Sequence, residues 1–134
     1  MIRLVLSAGD VEWIVSDFTP RELQLLMAQV FHFLSTKRVV DGPPISMPHR
    51  LSFQTQNHTA LFMPARIGDS AFPGMPGRTA IKVVCVPQST AAKGLPATTM
   101  VLDEITGGVK AIVNARKLTA LRNAAGQPVA RTCS

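Results

Sequence analysis

Lys82 interrupts an otherwise apolar run, Thr79-Ala80-Ile81-Lys82-Val83-Val84-Cys85-Val86. An ammonium group is seldom fully buried without a partner. Either Lys82 reaches back to water along its own stem, or it faces a cleft. In a cleft, partial burial favours the neutral amine, which suits proton transfer or a hold on a carboxylate. Arg50 falls on the polar side of an alternating segment, Ile45 to Phe53. Its guanidinium is a planar, two-pronged donor matched to a carboxylate, and the plainer reading is a solvated surface arginine. Arg122 lies in Leu118-Thr119-Ala120-Leu121-Arg122-Asn123-Ala124-Ala125, near a helix start, where it can add to backbone donors toward an anion.

Other chemistry finds little support. His32, His49 and His58 have no metal-ligand spacing, and a hairpin pairing of His49 with His58 would supply only two ligands. Cys85 alternates away from Lys82 and reads as core; Cys133 could bridge to it, but nothing requires a bond. Gly68, Gly74 and Gly77 fall in a proline-rich loop and do not make a dinucleotide fingerprint. No phosphate-loop lysine motif and no nucleophile elbow occurs. Asp10, Glu12 and Asp17 read as local helix and cap groups, so no general base stands out.

The elements that must position these residues are legible in outline. Ser7 and Asp10 form a capping box before a short helix from about Ala8 to Val15. Thr19-Pro20-Arg21-Glu22 forms a second, with proline at the favoured first position. Leu23, Leu26, Met27, Val30, Phe31 and Leu34 then recur at helical spacing, which predicts a helix from Pro20 to Ser35. Lys37 and Arg38 follow its last turn, where positive charge is favoured. Asp41-Gly42-Pro43-Pro44 breaks the chain. Ile45 to Phe53 predicts one half-buried strand, with Ile45, Met47, His49, Leu51 and Phe53 on one side and Pro48 marking an edge or bulge. Further strands are expected at 59–63, 79–86, 98–102 and 109–114, besides a short one at 2–6. Residues 64–77 and 87–96 read as loops, and a last helix starting at Leu118 is expected to stop early at Pro128. The fold class is α+β, a mostly antiparallel or mixed sheet covered by a long amino-terminal helix.

Length and charge bound the partners. The chain has 134 residues, 46% hydrophobic and 16% charged, enough for one ordinary domain and unlike a disordered chain. The net charge is +6, from 14 basic and 8 acidic residues. The basic residues are scattered, and few acids follow Asp41: only Asp69, Asp103 and Glu104. An anionic small molecule therefore suits the charge at least as well as a nucleic acid. No stretch approaches the length of a membrane span and no signal peptide is evident, so no membrane partner and a reducing, cytoplasmic setting are expected.

Several ordered segments resemble the ornithine cyclodeaminase/mu-crystallin family: Leu6, Ser7, Asp10 and Val11; Pro48-His49-Arg50; Ile81-Lys82-Val83-Val84; Lys93-Gly94-Leu95-Pro96; and Thr106-Gly107-Gly108-Val109-Lys110-Ala111-Ile112-Val113-Asn114 followed by 118–125. They span roughly residues 1–126, and the last looks most like fungal members. The resemblance implies a two-domain, usually dimeric enzyme that uses NAD or NADP on a small amino acid or cyclic imino acid. By similarity, Arg50, Lys82 and Arg122 hold the substrate carboxylate, and Lys82 assists proton movement at the reacting nitrogen. A substrate-contacting threonine or serine is expected directly after Gly94-Leu95-Pro96. Ala97 stands there instead, and Thr98, next in line, points to the opposite face if the strand has begun. Residues 1–126 are then the substrate-binding and dimerisation domain, and 127–134 a divergent tail. The Rossmann-type cofactor domain is expected to be missing from this chain, and the chain to be inactive alone. The alternative is a non-catalytic dimerisation or regulatory module that pairs with a full-length relative.

Overall fold

The computed structural model describes residues 4–35, 45–69, 71–89 and 94–132, with α3 side chains described only to Gln127. Lys37, Arg38, the 41–44 break, Lys93 and Cys133 lie outside the described residues. The elements are β1 (Leu4–Leu6), α1 (Ala8–Val15), α2 (Pro20–Ser35), β2 (Ile45–Ser46), β3 (Leu51–Gln54), β4 (His58–Ile67), β5 (Arg78–Pro87), β6 (Ala97–Leu102), β7 (Val109–Asn114) and α3 (Arg116–Thr132). The sheet runs β1-β7-β6-β5-β4-β2, with β3 also on β4. β1 pairs with β7 in parallel and every other pairing is antiparallel. The architecture is thus α+β with a mixed sheet.

Both helix starts are built as their sequences dictate. The Asp10 carboxylate accepts from the Ser7 backbone N–H at 2.8 Å, and the Ser7 hydroxyl accepts from the Asp10 N–H at 3.2 Å. Glu22 accepts from the Thr19 N–H at 2.7 Å, and the Thr19 hydroxyl accepts from the Glu22 N–H at 3.2 Å. Each box satisfies donors that the helix itself leaves open.

The covering layer differs from the expectation of a single long amino-terminal helix. α3, with 17 residues, is as long as α2, with 16, and the two pack on each other beside α1. Pro128 does not stop α3, which continues to Thr132 and crosses the expected tail boundary unbroken. An interior proline costs about 3 kcal/mol, and tertiary packing offsets it. Gly126 is buried on α2, where an added Cβ would lie 3.7 Å from Phe31 and 3.8 Å from Met27.

Two strands also depart from the sequence reading. The segment from Ile45 to Phe53 splits into β2 and β3 around Met47–Arg50, the stretch that holds Pro48. The break shifts the alternation. Ile45 pairs with Ile67 and is buried, whereas Phe53 pairs with Ala60 on the opposite face. The expected loop from residue 64 instead begins as strand, because β4 runs through Pro64 to Ile67. Pro64 falls between the β4 residues that pair with β3 and those that pair with β2, so a missing N–H is tolerated there.

Opposed residues in a ladder share a face, which sorts the sheet into two. Toward the helices lie Val84 and Ala97, in a cluster with Ala115, Leu61, Met63 and Val86. Among the described residues the other face carries no helix. One row on it, Val5, Ile112, Met100, Ile81 and Pro64, crosses five strands, a span of about 19 Å at ordinary strand spacing. Beside it Phe53 and Phe62 stack with ring centroids 5.4 Å apart. Val5, Leu51 and Phe53 are 66%, 73% and 55% exposed.

Candidate functional site

β5 carries Lys82 on the helix face, in register with Thr99 of β6 and Met63 of β4. Above it, α1, α2 and α3 leave a cavity of about 390 Å³, lined by Lys82, Thr99 and Arg122 together with apolar side chains from all three helices. The helical spacing of Leu118, Leu121, Arg122 and Ala125 turns all four toward this cavity. A volume of this size falls in the usual range for small-ligand sites.

Electrostatics mark the two cations. Burial, and then repulsion from the Arg122 guanidinium, hold the Lys82 ammonium below its ordinary pKa of 10.5. Among the described residues neither Lys82 nor Arg122 has an acidic partner, whereas Arg66 pairs with Glu104 at 3.1 Å and Lys117 with Glu12 at 3.6 Å. The cavity therefore presents two like charges that an anion would relieve.

The structure brings together Lys82 and Arg122 but places the other candidates differently. Arg50 is exposed, one residue before β3, and is not part of the cavity wall. Arg50 precedes the first pair of the β3–β4 ladder, Leu51–Phe62, and four residues, 47–50, oppose three on β4 before pairing resumes at Ser46–Arg66, so the ladder does not bring Arg50 onto the Lys82 row. Thr98 opposes Val83 and is exposed on the open face, because β6 has already begun at Ala97. Thr99 is the hydroxyl on Lys82's face. Sequence reasoning missed it, although the start of the strand at Ala97 would have selected it by parity. Gly94, in the segment leading to β6, has φ +83°, and an added Cβ would meet Arg116 Cζ at 2.7 Å.

The described residues do not fit a nicotinamide dinucleotide. A pyrophosphate needs a glycine-rich strand-to-helix turn and open helix N–H groups. The β1–α1 turn holds Ser7, with Asp10 occupying the cap, and the β7–α3 turn holds the buried Ala115. Gly74, Gly94 and Gly107, the positive-φ glycines, lie at neither junction. Among the described residues there is also no cluster of three potential metal ligands and no helix long and apolar enough to cross a membrane.

No family model matches the sequence, and no curated protein matches it. Solved structures do match the fold. An archaeal alanine dehydrogenase dimer with bound NAD superposes with a TM-score of 0.70 at 19% identity, over 93% of this chain and 35% of that one. The Delta(1)-pyrroline-2-carboxylate reductase of Thermococcus litoralis, in complex with NADH and L-proline, gives 0.66 at 20% identity, over 93% and 36%. A lysine cyclodeaminase, described for its recognition of L-lysine, L-ornithine and L-2,4-diaminobutyric acid, gives 0.64 at 22% identity, over 93% and 36%. The chain therefore has a fold found in dehydrogenases, reductases and cyclodeaminases of amino and imino acids. It spans about a third of the length of these structures.

The depressed Lys82 predicts a pH response. Between its folded pKa and 10.5 the unfolded chain binds more protons, so stability is expected to rise with pH through that alkaline window. Carboxylate binding runs the other way: it is expected to be complete below the folded pKa of Lys82 and to weaken as pH rises through it. Melting and titration at a series of alkaline pH values read the two opposite slopes.

Proposed function

We propose that this chain forms the substrate-carboxylate and subunit-pairing part of an NAD(P)-dependent enzyme of the ornithine cyclodeaminase/mu-crystallin kind. The observation that carries the reading is the shared cavity of Lys82 and Arg122, with no acidic partner for either among the described residues. The sheet and its three helices, through α3, make the substrate-binding and dimerisation domain. Lys82 and Arg122 hold the carboxylate of a small amino acid or cyclic imino acid, and Arg50 joins them from the segment that leads into β3. Lys82, half-buried with a lowered pKa, exchanges a proton at the reacting nitrogen. Thr99 takes the place of Thr98 as the hydroxyl nearest the ligand. Oxidation and reduction belong to a dinucleotide held outside the described residues, so the chain alone binds the acid without transferring hydride. The open sheet face pairs two copies of the chain in the cytoplasm.

Titration calorimetry with L-proline and Delta(1)-pyrroline-2-carboxylate tests the reading. Wild type is expected to bind, and Arg122→Met to lose at least about tenfold in affinity, the range for losing one charged hydrogen-bonding partner. Equal binding by both proteins would defeat the proposal. The open apolar face also favours a second reading, a non-catalytic module that pairs with a full-length relative. Under that reading the chain associates but binds neither acid.

A further inference from the structure

We propose that Lys82 is a nucleophilic amine that captures small apolar aldehydes as a covalent imine. The activity needs neither an acid group on the ligand nor a dinucleotide, so it stands apart from the carboxylate reading above. Its basis is where the sheet and the helices put the amine. β5 delivers Lys82 to a cavity of about 390 Å³ whose larger side chains, Phe18, Leu26, Met27 and Leu121 among them, are apolar. A chamber of this size and lining accepts a short alkyl chain, with the reactive end turned to Lys82, Thr99 and Arg122.

An amine attacks only with its lone pair free, and two features of the site favour loss of the proton. Packing among apolar groups strips water from the ammonium, and the Arg122 guanidinium adds like-charge repulsion. Desolvation and a neighbouring cation are the means by which an amine is activated as a nucleophile. The other two described lysines stand in different surroundings. Lys117 lies 3.6 Å from the Glu12 carboxylate, and the charge of Lys110 acts on Asp103.

The step balances without an oxidant or reductant. The Lys82 lone pair forms a C–N bond to the carbonyl carbon, and the carbonyl π pair moves to oxygen. Transfer of a proton from nitrogen to that oxygen gives a carbinolamine. Thr99 stands directly opposite Lys82 across the β5–β6 ladder, where paired Cβ atoms are about 5 Å apart, and its hydroxyl can relay the proton. The oxygen then takes a second proton and leaves as water as the nitrogen lone pair closes the C=N bond. The iminium returns a proton to solvent, so amine and aldehyde become imine and water.

The test is reductive trapping on the full chain. Hexanal is added near neutral pH with cyanoborohydride, which delivers hydride to the iminium carbon, and peptide mass mapping follows the hexyl group onto each lysine. Lys82 is expected to label at least about tenfold faster than Lys110 and Lys117. Its rate is expected to saturate with hexanal and to fall when unreactive hexanenitrile competes for the cavity. In urea the three lysines are expected to react alike. Equal labelling of the three in the folded chain, or a preference for Lys82 that survives unfolding, overturns the proposal. A preference that neither saturates nor responds to hexanenitrile overturns the cavity's part in it.

Discussion

Placing a charge on the open sheet face is expected to turn an associated chain into a monomer. The row from Val5 through Ile112, Met100 and Ile81 to Pro64 is apolar across five strands, and the Phe53–Phe62 stack adjoins it. A continuous surface of this kind is unusual on a monomer. Its flat, strand-built form suits the same face of a second copy, as in an isologous pair. Met100→Asp sits at the middle of the row, where a pair of such faces would bring the two carboxylates together in a dehydrated centre. Loss of a central anchor weakens an interface by about 2 kcal/mol or more, and the added charge deepens the loss. The dissociation constant is therefore expected to rise at least about a hundredfold. Phe53→Asp, at a residue 55% exposed, provides a variant whose folding is less burdened. Sedimentation across a range of concentrations, with melting curves alongside, reads both. Wild type that stays monomeric at every concentration, or variants that associate as it does, would refute the pairing.

The second large effect is a trade between binding and stability at Lys82. Lys82→Met keeps most of the stem and removes the charge. Carboxylate affinity is expected to fall about a hundredfold, since a charged partner at a partly dehydrated anion site is lost. The unliganded protein is expected to become more stable. The ammonium is partly desolvated, feels repulsion from Arg122 and has no acidic partner among the described residues. Solvent screening limits the gain to about 1 kcal/mol, or a rise of about 4 °C in melting temperature for a domain of this size. A lysine kept only for packing would show the reverse: binding unchanged and melting lowered. A group that weakens its own fold yet is required for the ligand is characteristic of a working site.

How much of this was legible depends on how local each signal was. Ser7 with Asp10 and Thr19 with Glu22 announced two helix starts, because a capping box is complete within four residues. Lys82 announced a cleft because it broke an apolar run. Pro48 marked the break between β2 and β3, but the change of phase that separates Ile45 from Phe53 depends on the path of the intervening residues. Pro64 read as loop because the gap between β3 and β2 that accommodates it arises only when distant strands assemble. Pro128 read as a stop because the packing of α3 on α2 cannot be seen in α3. The site was half legible for the same reason. Lys82 and Arg122 share the cavity, Thr99 replaces Thr98 by a parity set at Ala97, and Arg50 stays exposed outside the cavity wall.

The pairing of β1 with β7 orders events during synthesis. Among the described residues, Leu4, Val5 and Leu6 pair with Ala111, Ile112 and Val113, and β1 has no other neighbour in the sheet. As the chain leaves the ribosome, α1 and α2 can form at once, while β1 waits for β7. Closure over so long a loop is slow. Throughout that interval an apolar strand stands unpaired, so nascent protein is expected to depend on chaperones.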